Sequence, residues 1–183
     1  MQNKFFNITV NVSCKNENCG SIKVSLDPEL FSRWVSSRDL TTGYEYGHDI
    51  AVDSQGNSYV TSGYCLSCPF DYEMDIFKLN NNGNFLWGNV SNPTQYDDEV
   101  NGVATDLQGN VYVAGTSGGG GPTGSSIYTM KLNSSKSVLW VNITRPDSLD
   151  YLGSDIATDS NGNVYVTGTC QGCGSGGAIY TMK

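Results

Sequence analysis

The sequence predicts an all-β fold, an array of four-stranded antiparallel sheets that repeats every 53 residues. A fixed period of this size identifies a repeat architecture. The composition agrees, because 22 glycines, 11 tyrosines and only 15% charged residues are typical of short strands joined by polar turns. Two features carry the period, the motif Asp-x-x-Gly-Asn-x-Tyr-Val and a tryptophan. The motif begins at Asp53, Asp106 and Asp159, and the tryptophans are Trp34, Trp87 and Trp140.

Each copy of the motif predicts a β-hairpin. A short apolar run such as Asp49-Ile-Ala-Val52 precedes Asp-x-x-Gly-Asn, and an alternating strand with tyrosine and valine follows it. Aspartate can bond its own backbone at the start of a turn, and glycine supplies the positive φ that closes the turn. The alternative is a calcium-binding loop, which requires a bidentate acid further along, and none follows at that distance. We therefore interpret the motif as a structural turn.

The period divides the chain into four units within one repeat domain, residues 1–183. Two units are complete: residues 44–91, with strands at 47–53, 57–64, 74–80 and 84–90, and residues 96–144. Residues 150–183 predict three strands. Residues 1–40 predict a unit without its first strand, with strands near 6–14, 21–27 and 30–36. We expect two complete blades flanked by two incomplete ones.

The units are expected to stack on one another. A single sheet cannot bury both of its faces, and stacking of neighbouring repeats creates a continuous core. Radial stacking into a β-propeller is the usual solution for repeats of four strands. The recurring tryptophan is predicted to pack between neighbouring sheets, because it occurs once per unit at a fixed register. A platform for stacking sugars is the functional alternative.

The repeated residues resemble a known family. Asp-Ile-Ala-x-Asp-x-x-Gly-Asn-x-Tyr-Val-Thr-Gly, followed by Phe-Lys-Leu-Asn and a tryptophan, resembles the bacterial and archaeal SBBP-type β-propeller repeat. Its Asp-x-x-Gly-Asn-x-Tyr-Val core is also similar to the NHL repeat. The resemblance covers residues 47–183 and extends less closely over 1–40. It implies a β-propeller fold and a secreted or surface protein with a binding or structural role.

Six cysteines form three close pairs along the sequence: Cys14 and Cys19, Cys65 and Cys68, and Cys170 and Cys173. The second and third pairs follow their turn aspartates by 12 and 11 residues, so they occupy equivalent loops of different repeats. We predict disulfides that close these loops, which indicates an oxidising, extracellular setting. Zinc could instead bind both loops if the repeats were brought face to face. A redox site would require a helix N-terminus, and none is predicted.

Five Asn-x-Ser/Thr sequons are candidates for N-glycosylation at the surface. They are Asn7, Asn11, Asn89, Asn133 and Asn142. Together with the cysteines they favour an extracellular or cell-surface location. The sequence starts without the apolar segment of a secretory signal, so we expect a mature or trimmed fragment.

Composition and charge argue against several classes of partner. A net charge of −8 with scattered basic residues argues against nucleic acid, which requires clustered lysine and arginine. No stretch resembles a membrane span, which needs about 20 apolar residues.

No candidate catalytic, metal or cofactor site emerges from the sequence. The single histidine, His48, is expected to be a solvated loop residue. The acidic run Asp97-Asp-Glu99 is expected to place charge at a strand edge. The glycine-rich run 117–124 joins two predicted strands, whereas a phosphate-binding run would lead into a helix, so we interpret it as a flexible loop. We therefore expect a protein that is not an enzyme and has no cofactor.

The incomplete outer units lead to a hypothesis about function. Unpaired groups at a sheet edge favour pairing with another chain. An alternating segment (Phe6, Ile8, Val10 and Val12) could be donated as a strand to a neighbour. The leading hypothesis is a non-enzymatic extracellular structural protein that forms homo-oligomers head to tail, as a fibre or surface layer, by completing strands at both ends. The alternatives are a glycan-binding propeller module that uses tyrosine and aspartate in its loops, or a piece of a larger secreted β-propeller.

Overall fold

A computed structural model describes residues 44–65, 72–91, 93–94, 96–119, 124–174 and 177–183. The described residues contain no helix and form eleven strands in three antiparallel sheets, which confirms the all-β prediction. The predicted unit at 1–40 lies outside the described residues. Trp34, Cys14, Cys19, Asn7 and Asn11 lie outside them as well.

Each sheet follows the chain order of its strands. The first contains β1 (Tyr44–Val52), β2 (Ser58–Cys65), β3 (Tyr72–Leu79) and β4 (Phe85–Ser91). The second contains β5 (Asp97–Thr105), β6 (Val111–Gly119), β7 (Ser126–Leu132) and β8 (Val138–Thr144). The third contains β9 (Asp150–Thr158), β10 (Val164–Gln171) and β11 (Ala178–Met182).

Every strand predicted after residue 43 overlaps an observed strand. The largest difference is at β1, which begins at Tyr44 and not at the predicted residue 47. Pairing with β2 extends to Tyr44 because a bulge between Gly47 and Asp49 absorbs a shift in register.

The predicted hairpin turns are confirmed. At the first, the Gly56 N–H donates to the Asp53 carbonyl at 3.0 Å, and Gly56 has a φ of 80°. The Asp53 carboxylate accepts the backbone N–H groups of Gln55 and Asn57, both at 2.9 Å. Glycines at the same point of the other two turns have φ near the same value. The aspartate and glycine of the motif therefore form the turn that joins the first two strands of each sheet.

Two apolar cores lie between consecutive sheets. The first lies between the first and second sheets, and the second lies between the second and third. Buried members of the first include Tyr59, Met74, Ile76, Val103 and Met130. Buried members of the second include Tyr112, Ile127, Tyr151, Ile156 and Val166. Each sheet is thus held by its neighbours, because burial of apolar side chains is the main favourable term in folding.

Glycines allow the second and third sheets to approach closely. A Cβ on Gly153 would lie 2.2 Å from the Gly115 carbonyl oxygen, which no side chain can tolerate. A Cβ on the equivalent residue of the first sheet, Gly47, would meet no atom of a described residue within 4 Å. Gly153 is therefore a packing requirement at the junction of the second and third sheets, whereas no described neighbour constrains Gly47.

Candidate assembly surface

The turn aspartates are structural acceptors. The Asp106 carboxylate accepts hydrogen bonds from the backbone N–H groups of Gln108 (2.9 Å) and Asn110 (2.8 Å), from the Asn110 Nδ2 (2.7 Å) and from the Tyr112 hydroxyl (2.9 Å). Burial alone raises the pKa of Asp106, but these hydrogen bonds outweigh burial and leave the pKa below its ordinary value. The same bonds recur at Asp53 and Asp159. The motif tyrosines of the first two sheets are buried against these carboxylates and do not form an exposed stacking surface.

The tryptophans have equivalent partners in the first two sheets. Trp87 lies 6.0 Å from Tyr59 and Trp140 lies 6.2 Å from Tyr112, both at an interplanar angle of 58°. Trp87 packs against the first core, and its Nε1 donates to the Ser134 carbonyl of the second sheet at 3.3 Å. Trp140 remains 38% exposed. The predicted packing between sheets is therefore observed for Trp87.

Threonine hydroxyls join the first strands of consecutive sheets. We call these strands, β1, β5 and β9, the inner strands. Thr105 Oγ1 donates to the Val52 carbonyl at 3.1 Å, and Thr158 Oγ1 donates to the Thr105 carbonyl at 3.0 Å. The donor and the acceptor are 53 residues apart in both cases. The same bond thus recurs at both junctions, with β1 bound by β5 and β5 bound by β9.

Other bonds differ between the two junctions. At the first, Asp49 Oδ2 accepts the Val103 N–H at 2.9 Å. At the second, Asn101 Nδ2 donates to the Gly153 carbonyl at 2.7 Å, and the Gly153 N–H donates to Thr116 Oγ1 at 3.2 Å. Polar bonds therefore fix the register of each junction and the apolar cores supply the buried area.

The outer face of the third sheet exposes residues whose equivalents are buried. Tyr165 is 40% exposed, whereas Tyr112 is 2% exposed. Ile179 is 85% exposed, whereas Ile127 is fully buried. We call this surface the third-sheet face. It contains a cleft of about 450 Å³ whose lining includes Asp155, Ala157, Tyr165, Thr167, Thr181 and Lys183.

Among the described residues, the third sheet has no fourth strand. In the first and second sheets, a fourth strand (β4 or β8) pairs with the third strand (β3 or β7) along its length. Within the described part of the chain, β11 pairs only with β10. We call the side of β11 (Ala178–Met182) that faces away from β10 the β11 edge.

The structure joins Cys170 and Cys173 in a disulfide, with their Cα atoms 5.6 Å apart. Cys65 is buried and also disulfide-bonded, while its predicted partner Cys68 lies outside the described residues. A cysteine in a disulfide has no thiolate to offer zinc, so the structure favours the interpretation as loop closure.

The three described sequons differ in their surroundings. Asn142 is exposed on β8, and its Nδ2 donates to Thr144 Oγ1 at 3.0 Å. Asn89 occupies the same position in β4 but is only partly exposed, because it lines a narrow cleft against residues of the second sheet. Asn133 forms a turn in which its Oδ1 accepts backbone N–H groups. Glycosylation of any of them stays a prediction.

The expectation that the acidic run places charge at a strand edge is wrong for Asp98. Asp98 is fully buried, where it accepts the N–H groups of Thr94 at 2.9 Å and Gly118 at 3.0 Å. Its burial raises the pKa of the carboxyl above the ordinary value, despite these hydrogen bonds. Gly118 belongs to the glycine-rich run, so one end of that run is anchored to Asp98.

His48 also differs from its expected place. It is exposed, as expected, but it lies within β1 and not in a loop, because β1 extends past it to Tyr44. Among the described residues no group of three or more histidine, cysteine or acidic side chains could hold a metal ion. Likewise, no helix in the described ranges is long and apolar enough to cross a membrane.

Comparison with known proteins supports the repeat assignment. The family model "Beta-propeller repeat" (SBBP) matches residues 94–122 and 146–172. These ranges contain the inner two strands of the second and third sheets, so the predicted SBBP-type repeat is confirmed there. A comparison of the sequence with curated proteins gives no match.

One solved structure similar to this chain is an endo-arabinase from Bacteroides thetaiotaomicron VPI-5482. It shares 9% sequence identity with a TM-score of 0.45, over 74% of this chain and 54% of that structure. This chain therefore spans about half the length of that structure. A likeness at this level carries no argument about activity.

Proposed function

We propose that this chain, which carries SBBP-type β-propeller repeats, is a non-enzymatic structural module of an extracellular protein that associates head to tail by strand completion. The β11 edge is the observation that carries the proposal. The other two sheets hold a fourth strand at the equivalent edge, and β11 continues the same register of pairing with its own sheet. A strand from a second copy would add to this edge by β-augmentation. The segment predicted to be donated, Phe6 to Val12, lies outside the described residues.

The length of the edge sets the expected affinity. The edge has five residues, so a partner strand gains only a few backbone hydrogen bonds, each of which contributes about 1 kcal/mol net. Association costs at least about 4 kcal/mol in translational and rotational freedom. Strand addition alone therefore predicts weak pairing that depends on protein concentration. Burial of exposed apolar side chains near the edge would strengthen it.

The use of polar groups in the repeats supports a structural role. The aspartate, asparagine and tyrosine of each motif bond to one another, and the threonines of the inner strands bond to the neighbouring sheet. An active site requires a convergent acid, base or nucleophile in a cleft. The polar residues that the repeats share are used instead to build turns and junctions.

Size measurement and microscopy test the proposal. The mass from light scattering is expected to rise with protein concentration, and electron microscopy is expected to show rings or fibres. Successive residues of a strand direct their N–H groups to opposite sides. One of the two variants Ile179→Pro and Tyr180→Pro therefore removes an outward N–H and blocks association, while the other breaks pairing with β10. Leu107→Asp, at an exposed turn of the second sheet, is the control and should associate normally.

Two outcomes would contradict the proposal. A chain that stays monomeric at every concentration contradicts the proposal, and so does normal association of both proline variants. Monomers that bind sugars on a glycan array would favour the alternative of a glycan-binding module. The extracellular setting has its own test: intact mass after alkylation, without reduction, should show no alkylated thiol in the secreted protein.

A further inference from the structure

The inner strands of the three sheets alternate between aspartate and glycine at one position: Asp49 in β1, Gly102 in β5 and Asp155 in β9. The backbone N–H of the next residue donates to a carboxylate in every sheet. In the first and third sheets it donates to the aspartate just before it, at 2.8 Å and 2.7 Å respectively. In the second sheet Gly102 has no carboxylate, and the Val103 N–H donates to Asp49 of the first sheet at 2.9 Å.

This arrangement has a simple chemical reason. A backbone N–H carries one proton, so it serves one carboxylate well. If Gly102 were an aspartate, its own carboxylate and that of Asp49 would converge on the Val103 N–H, and the two like charges would repel. The glycine leaves the Val103 N–H available to the neighbouring sheet. An aspartate in one sheet thus requires a residue without a carboxylate in the sheet stacked on it.

The second junction adds a steric reason for the same glycine. A Cβ on Gly102 would lie 2.8 Å from the Asp155 Cα, so no side chain fits beneath β9 at this point. Gly102 therefore avoids charge repulsion with Asp49 of the first sheet and a steric clash with β9 of the third sheet.

The third-sheet face presents the same acceptors as the first junction, and no described residue supplies the corresponding donors. Asp155 Oδ1 accepts the Ile156 N–H, while Asp155 Oδ2, the counterpart of the oxygen that binds Val103, has no bond to another described residue. Asp155 is exposed and lines the 450 Å³ cleft. The Thr158 carbonyl is the counterpart of the Val52 and Thr105 carbonyls, each of which accepts a threonine hydroxyl.

We infer that the third-sheet face binds a further β-blade of this repeat type, whose inner strand carries glycine, then valine or isoleucine, and threonine two residues after that, as in residues 102–105. The N–H after the glycine donates to Asp155 Oδ2, and the threonine hydroxyl donates to the Thr158 carbonyl. A blade with aspartate in place of the glycine is rejected by Asp155. This concerns a different surface from the β11 edge and does not depend on strand completion between copies.

The test extends the full chain with a copy of its own residues 79–146. Lys183 corresponds to Lys78, so the copy continues the register, supplying first a fourth strand for the third sheet and then a blade of the second type. The extended chain is expected to unfold at a higher temperature and to protect β9 amides from hydrogen exchange. The same extension with Gly102→Asp in the copy should lose this gain.

A second pair of variants isolates the carboxylate. No further sheet covers the copy, so Gly102→Ala in the copy lacks the clash seen at the second junction and should retain most of the gain. In a chain that carries Asp155→Ala, the difference between glycine and aspartate in the copy should disappear. Equal unfolding temperatures and equal exchange for the glycine and aspartate copies would overturn the inference, whatever the chain without the extension does in solution.

Discussion

The turn aspartates test whether a neighbouring sheet increases the free-energy cost of losing the hydrogen bonds of the turn. The perturbation is Asp106→Ala in the second sheet, with Asp159→Ala in the third sheet as the matched control. Both carboxylates accept the same four hydrogen bonds, at 2.7–2.9 Å around Asp106 and at 2.6–3.0 Å around Asp159. The difference is burial, because Tyr112 is covered by the third sheet whereas Tyr165 is 40% exposed.

The structure sets the size of the expected effect. Without Asp106 the buried Tyr112 hydroxyl has no acceptor, and leaving a buried polar group unsatisfied costs about 1–3 kcal/mol. The two turn N–H groups lose about 1 kcal/mol each, in part because water can replace the carboxylate there. We expect Asp106→Ala to lower the free energy of unfolding by about 3–5 kcal/mol in total. Asp159→Ala should cost much less, because water reaches the Tyr165 hydroxyl.

Urea denaturation followed by fluorescence measures the difference. With a slope of about 2 kcal/mol per molar urea, the midpoint for Asp106→Ala should fall by about 1.5–2.5 M. The slope itself should not change, since the same surface is exposed on unfolding. Equal midpoint losses for the two variants would refute the reasoning, because they would show that the neighbouring sheet contributes nothing to the cost.

Three further predictions follow from the same repeats. Gly153→Ala should destabilise the chain by more than about 3 kcal/mol, because the new Cβ enters backbone atoms, whereas Gly47→Ala should stay within about 0.5 kcal/mol; equal unfolding midpoints would contradict this. Hydrogen bonds led by that from Asn163 hold the pKa of Asp159 at about 2, below the ordinary 3.8. The stabilising effect of the ionised Asp159 carboxylate is therefore complete above about pH 4 and is lost as the pH falls through 2. The melting temperatures of wild type and Asp159→Asn should therefore converge as the pH approaches 2. A difference in melting temperature that stays constant with pH would contradict this prediction. In a glycosylating host, intact mass should show a glycan that Asn142→Gln removes and Asn89→Gln does not, because only Asn142 is fully exposed on its strand.

The period of 53 residues was sufficient to predict most of the fold. It placed the strands, the turns at Asp53, Asp106 and Asp159, and Trp87 and Trp140 on the last strands of their sheets. These features are local, because hairpins depend on turn residues and on alternation within about 40 residues. A repeated local pattern is therefore visible in the sequence itself.

Contacts between residues that are distant in the sequence were not predictable in the same way. The burial of Asp98 depends on Thr94 and Gly118, which approach it only when β5 and β6 pair. The bond from Val103 to Asp49 crosses between sheets, and nothing in the spacing distinguishes it from the local bond that Asp155 makes. The alternation of aspartate and glycine could have been read as a signal, because Asp49 and Asp155 flank Gly102 in the series of residues spaced by 53.

The threonine hydroxyls that join the inner strands have a consequence for how such proteins change in length. Each bond connects residues that are one unit of 53 residues apart. The position of each sheet on its neighbour is therefore determined by residues of those two sheets alone. Duplicating or losing a whole unit of 53 residues keeps each of these threonine hydroxyls opposite a carbonyl of the same kind. Losing one residue inside a module reverses the inward and outward sides of the strand that follows. A change in length by complete units of 53 residues thus preserves the threonine bonds between sheets, whereas a change by a single residue does not.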